Sequence, residues 1–168
     1  NTSKEQGLNF QSPRVQILLR SPLMVEETGG MRQVIGTFDD DEVKALFDND
    51  KLASELASSK GEMRKRQYSV RTKYLIYLLT KDNKRAHKIP IVLTLKGLNG
   101  TDVSEKIRMY EKEMSKCLSK ALDTEVPMQY NEQFYATTVF CPQLASDMRG
   151  ANGVEICAVE SFDIPEYQ

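Results

Sequence analysis

Residues 67–97 constrain the fold of this chain more than any other stretch. The run opens Gln67-Tyr68-Ser69-Val70-Arg71-Thr72-Lys73-Tyr74-Leu75-Ile76-Tyr77-Leu78-Leu79. After a polar link it resumes as Ile89-Pro90-Ile91-Val92-Leu93-Thr94-Leu95-Lys96-Gly97. It is the densest run of β-branched, aromatic and aliphatic side chains in the sequence, which is the composition of strands. Tyr68, Val70, Thr72, Tyr74, Ile76 and Leu78 fall on one face of an extended chain, and Ser69, Arg71, Lys73, Leu75, Tyr77 and Leu79 on the other. The first half alternates as a strand with one wet face does. Residues 74–79 are apolar on both faces, which predicts a central position in a sheet. Two strands joined by a basic link at 81–87 are expected, with Pro90 marking an edge or a strand start.

The same stretch holds the positive charge. Residues 60–88 carry ten basic side chains (Lys60, Arg64, Lys65, Arg66, Arg71, Lys73, Lys81, Lys84, Arg85, Lys88) against two acidic ones (Glu62, Asp82), a balance of +8. The remainder has 13 basic and 22 acidic residues, a balance of −9, so a net charge of −1 conceals a segregated field. Charge separated in this way can hold an anion.

Around the two central strands the chain reads in order. Residues 1–12 are polar and predict a mobile arm, followed by a single α+β domain over 13–168. Residues 14–20, 23–27 and 31–38 read as strands, the last two as a hairpin about Thr28-Gly29-Gly30. Asp39 caps a helix, with Glu42 three residues on, and Val43, Leu46 and Phe47 form its apolar face. Asp48-Asn49-Asp50 is expected to break or kink that helix before Leu52 and Leu56 continue it. Lys96-Gly97-Leu98-Asn99-Gly100-Thr101 reads as a turn. Val103, Ile107, Tyr110, Met114, Cys117, Leu118 and Ala121 then recur at helical spacing over 102–122, with Asp102 and Glu105 as a capping pair. Alternation over 133–141 predicts a strand, 142–153 a loop, and 154–162 the last strand. Adjacent strand pairs with short links favour antiparallel pairing. The expected fold is α+β: a mainly antiparallel curved sheet or partly open barrel of about seven strands with two helices, the longer packed on the sheet.

Several chemistries lack their residues. No apolar run approaches the roughly 18 residues of a membrane span, and the polar start lacks the apolar core of a signal peptide. Cys117, Cys141 and Cys157 are too few and oddly numbered for a disulfide framework, which points to a reducing, cytoplasmic setting. They fit no zinc spacing, and the one histidine, His87, reads as a solvated loop residue with no nucleophile beside it. A calcium loop begun at Asp48 would need Asp or Asn at 52 and Gly at 53, where Leu52 and Ala53 stand. Lys96-Gly97-Leu98-Asn99-Gly100 lacks the glycine spacing of a nucleotide cradle. The expectation is a protein without a catalytic site, metal or cofactor.

The pattern Tyr74-Leu75-Ile76-Tyr77-Leu78-Leu79, a polar turn, then Ile89-Pro90-Ile91-Val92-Leu93-Thr94-Leu95-Lys96-Gly97 leading into a helix, resembles a family of uncharacterised cyanobacterial proteins. It is also similar in layout to phage- and plasmid-type single-stranded-DNA-binding proteins, and Ser12-Pro13-Arg14-Val15-Gln16-Ile17-Leu18 fits the same layout. That second resemblance implies an OB-like barrel. From the residues themselves, single-strand binding needs cations for phosphates and flat rings for bases. Arg64, Lys65, Arg66, Arg71, Lys73, Tyr77, Lys81, Lys84, Arg85 and Lys88 supply both types, so single-stranded DNA or RNA is the expected partner. The alternative is a structural or scaffold subunit making protein contacts in a homo- or hetero-oligomer.

Overall fold

The computed structural model describes residues 12–30, 32–124, 131–149 and 154–163. The elements run β1 (Arg14–Arg20), β2 (Met24–Glu27), β3 (Val34–Thr37), α1 (Asp41–Ser59), β4 (Tyr68–Leu79), β5 (Ile91–Lys96), α2 (Gly97–Ala121), α3 (Glu132–Tyr135), β6 (Pro142–Arg149) and β7 (Val154–Phe162). The strand pairs are antiparallel, the fold is α+β, and neither sheet closes into a barrel.

The long strand β4 is paired on both edges, as its two-sided apolar half requires. β5 runs along one edge, from Lys96 opposite Arg71 to Ile91 opposite Ile76. β1 and β2 lie end to end along the other, β1 against residues 74–79 and β2 against 68–71. Pro22 interrupts this edge, and Ser21 spans the gap. Its amide donates to the Lys73 carbonyl at 2.8 Å, and its hydroxyl oxygen accepts from the Lys73 amide at 2.9 Å. β3 extends the sheet beyond β2. β6 and β7 form a separate hairpin, tied to β1 by reciprocal 2.8 Å backbone hydrogen bonds between Val15 and Phe140.

Opposed residues in an antiparallel ladder share a face. One face therefore gathers Val15, Ile17, Val25, Val70, Thr72, Tyr74, Ile76 and Leu95. Both long helices pack there. α1 sets Val43 against Gly36, the partner of Val25. α2 brings Ile107, Tyr110 and Met114 into a cluster with Val15, Tyr74, Ile76 and Phe140. The Tyr74 hydroxyl, buried with its ring, is satisfied by Ser104 at 2.8 Å. The β6–β7 hairpin covers the same side but does not meet the sheet flush. A cavity of about 250 Å³ remains, walled by Ile17, Leu93, Leu95, Val103, Leu144 and Val159 among others.

Several expectations are corrected. α1 is not broken at Asp48-Asn49-Asp50, because Asp50 turns inward and serves neighbouring donors instead of competing for the helix backbone. Its cap is Asp40 rather than Asp39, with Oδ1 accepting from the amides of Glu42 and Val43. α2 starts a turn earlier than residue 102, at Gly97, and Asp102 accepts from the Val159 amide at 2.8 Å instead of capping. Gly100 answers a close approach, since a Cβ there would stand 3.1 Å from the Leu95 carbonyl carbon. The strand expected over 133–141 is replaced by the short α3 and turns. Asn131 caps α3, and the Thr137 and Thr138 hydroxyls donate to carbonyls three residues back. The loop expected from Pro142 is instead β6, with proline at a strand's first residue, where no ladder donor is lost. Of the arm expected over 1–12, only Ser12 is described; its hydroxyl donates to Gln143 Oε1.

Gly36 offers a direct test of the α1 contact. A Cβ there would meet Val43 Cγ2 at 2.6 Å. Gly36→Ala is expected to lower the unfolding free energy by about 1–3 kcal/mol. Combined with Val43→Ala, the loss should be smaller than the sum of the single losses, read from urea midpoints.

Candidate nucleic-acid interface

The second face of the sheet carries neither long helix among the described residues. Register places Arg14, Gln16, Glu26, Ser69, Arg71, Lys73, Leu75, Tyr77, Val92, Thr94 and Lys96 on it. Its strand residues include four cations, Arg14, Arg71, Lys73 and Lys96, against one carboxylate, Glu26. Lys73 and Thr94 are exposed at its centre.

Glu26 organises the middle of this face. It is only 2 % exposed, covered by the side chains of its own partners. Arg71 Nη1 lies 2.8 Å from Oε2 and Lys96 Nζ 2.8 Å from Oε1, and Ser69 donates more weakly at 3.4 Å. Burial works to raise this carboxyl. The hydrogen bond from Lys96 and the charges of Arg71 and Lys96 outweigh it and hold Glu26 below its ordinary 4.5. The triad keeps a net charge of +1 while fastening β2, β4 and β5 together.

The expected site residues do not form one patch. β4 has twelve residues, so its ends stand about 36 Å apart. Arg64, Lys65 and Arg66 precede one end, and Lys81, Lys84, Arg85 and Lys88 follow the other. Arg64 is an ion-pair partner of buried Asp50 at 3.1 Å, whose other oxygen accepts from the Gln67 and Tyr68 amides at 2.8 and 3.2 Å. The Arg66 guanidinium sits 5.9 Å from the Phe47 ring of α1. Arg64 and Arg66 thus join α1 to the start of β4, on the helix-bearing side. Lys65, Lys73, Lys81, Lys84 and Lys88 are exposed and make no ion pair among the described residues.

Tyr77 is the clearest departure from expectation. Its ring is 7 % exposed, with the Arg85 guanidinium 4.2 Å from its centroid and the His87 ring stacked at 5.2 Å. It therefore cannot present a face to a base. His87 is no solvated loop histidine either. Its Nε2 accepts from the Leu78 amide at 2.9 Å, and Nδ1 meets the Ile89 carbonyl at 2.6 Å, which places the ring proton on Nδ1. The 81–90 loop is thereby folded onto the second face, bringing Arg85 over the sheet. Sequence reading missed Arg14, whose guanidinium bonds Asn83 in this loop, and Lys96. Their register opposite Leu79 and Arg71 would have revealed them, but register is not visible in a single strand.

The helix-bearing side has a competing concavity, a cleft of about 610 Å³. Arg20 and Arg108 line it together with Asp39 and Glu105, so its charges balance apart from Arg71, which Glu26 already holds. Its Tyr74 and Ser104 hydroxyls bond each other, and burial pushes the Tyr74 phenol above 10.0. Among the described residues no group of three or more His, Cys, Asp or Glu is placed to hold a metal ion. No described helix is long and apolar enough to cross a membrane.

The Glu26 triad predicts an acid-sensitive contribution to stability. Because its folded value is depressed, its contribution is present above about 4.5, the ordinary value, and is lost as pH falls through the lowered one. Glu111 acts oppositely. Burial raises it against the opposing charges of Arg20 and Arg108, so its contribution is present in acid and lost as pH rises. Glu26→Gln should cost of order 2 kcal/mol at pH 7, less than a deep pair because Lys96 reaches solvent. It should also remove part of the fall in urea midpoint below pH 4.5.

No curated protein and no solved structure matches the chain. The family described as Domain of unknown function (DUF5895) matches residues 1–168, and the chain belongs to that family.

Proposed function

We propose that this is a non-catalytic protein that binds single-stranded DNA or RNA on the face of its sheet that carries neither long helix. The observation that carries the reading is the charge of that face: four strand cations against one carboxylate that its own neighbours already neutralise. Lys73 stands exposed at the centre, and Lys81, Lys84, Arg85 and Lys88 frame one end. Lysines without carboxylate partners suit phosphates, which they neutralise with release of counterions. The Arg85 guanidinium, laid over Tyr77, takes the role first expected of Tyr77, a flat cationic surface for a base. Arg64 and Arg66 drop out of the grip, since Asp50 and Phe47 engage them.

A labelled oligonucleotide titrated by fluorescence anisotropy tests this. If five phosphates are neutralised, affinity should fall about 100-fold between about 50 and 200 mM salt. Lys73→Glu should weaken binding at least tenfold and flatten the salt dependence by about one charge. Arg66→Ala should leave affinity nearly unchanged. Absence of saturable binding at the lowest salt would reject the reading.

The edge of β5 supports a second reading, a subunit that pairs with another copy of itself. Ile89, Ile91, Val92 and Leu93 are 76, 44, 60 and 38 % exposed, and no described strand pairs with the outer edge of β5. Residues 91–95 contain no charge, proline or bulge of the kind that protects an edge. Antiparallel self-pairing about Leu93 would set Lys96 opposite Pro90, whereas pairing about Val92 would set it opposite Lys88. Charge therefore selects the first register. Light scattering should then give a dimer that persists in high salt and becomes a monomer on Val92→Lys. A monomer in the unmodified protein would eliminate this reading and leave the first untouched.

A further inference from the structure

We propose that the apolar cavity bounded by β1, β4, β5, α2 and the β6–β7 hairpin is a binding site for a small uncharged apolar molecule, or for the hydrocarbon part of an acyl chain. Its volume is about 250 Å³. Well-packed interiors rarely leave voids larger than a water molecule, and a cavity of about 150 Å³ already accepts benzene. This one fits a fused bicyclic ring or a chain of roughly eight to ten carbons.

The walls specify the ligand class. Val15, Ile17, Ile76, Leu93, Leu95 and Ile107 contribute only hydrocarbon. Among the described lining residues Tyr74 brings the one polar side-chain group, and Ser104 already bonds its hydroxyl. A buried water needs two to four polar partners, and the described lining side chains provide none that is uncommitted. Among the described residues no charged side chain lines the cavity, so a carboxylate or phosphate would find no counterion there.

Access follows from β5. Leu93 forms part of the wall yet is 38 % exposed, and Ile91 beside it is 44 % exposed. The outer edge of β5 is unpaired among the described strands. A ligand can therefore enter past one edge strand without parting the helix–sheet core. The polar end of a longer chain would remain at this rim, in water. The site lies across the sheet from the basic face, so it is independent of polyanion binding.

The 168-residue chain titrated with neutral 1-aminonaphthalene provides the test. One saturable site per chain is expected, with blue-shifted emission that 1-decanol displaces. Leu144→Phe, which adds a ring to the cavity, should weaken the probe at least tenfold and raise the urea midpoint. Val103→Leu, a smaller filling change from the α2 side, should do the same to a lesser degree and serves if the first variant does not fold. Leu144→Phe should leave oligonucleotide affinity unchanged, so this site and the basic face can fail separately. Absence of a saturable site in the unmodified protein overturns the proposal. So does a lowered urea midpoint in Val103→Leu with probe affinity retained, because the space would then already be packed.

Discussion

The division of β4 into an apolar face and a charged face governs the architecture. A twelve-residue strand paired along both edges can shed hydrophobic surface only through its faces, and one of them carries Arg71 and Lys73. α1, α2 and the β6–β7 hairpin therefore gather on the side of Val70, Tyr74 and Ile76. A helix laid over the other face would bury Lys73, and an unpaired buried ammonium is prohibitively expensive. The absence of a long helix from the second face is thus a result of the sequence of β4, whatever that face binds.

Charge on this molecule serves two purposes, and proximity in sequence does not separate them. Arg64 and Arg66 stand next to Lys65, yet they clasp α1 through Asp50 and Phe47. Arg71 sits two residues from Lys73, yet it belongs to Glu26. Arg64, Arg66 and Arg71 are held by a buried carboxylate or a ring. Lys65, Lys73, Lys81, Lys84 and Lys88 keep exposed ends, which hold no fixed geometry and suit phosphates better than bases.

Much of this was legible in the chain itself. Both faces of β4 and the register-free parts of β1, β5 and α2 follow from period and composition, because a two-residue or 3.6-residue repeat survives in any tertiary setting. What failed was punctuation. Asp48-Asn49-Asp50, Gly97 to Gly100 and Pro142 all looked like breaks, and each sits inside or at the start of a regular element. Asp50 is held by Gln67 and Tyr68, and Gly100 by its approach to Leu95, both tertiary facts. Residues 134–140 alternated like a strand, but Asn131, Thr137 and Thr138 supplied local hydrogen bonds that a helical turn uses and a strand does not. The covering of Tyr77 lay outside reach for the same reason: nothing in the order of residues says that Arg85 and His87 fold back over it.

The joint at Ser21 divides the sheet in a way the strand order alone does not suggest. On one side of it β2, β3 and α1 pack together; on the other stand β1, β5, α2 and the hairpin, and β4 runs through both groups. Along that edge the amide and hydroxyl of one serine keep the ladder continuous. The molecule is thereby built as two packing groups strung on one shared strand, with the Glu26 triad bridging β2 to β5 between them. Amide protons of β2 and β3 would then exchange as one block and those of β1 as another, with the β4 amides nearest Lys73 marking the seam between them.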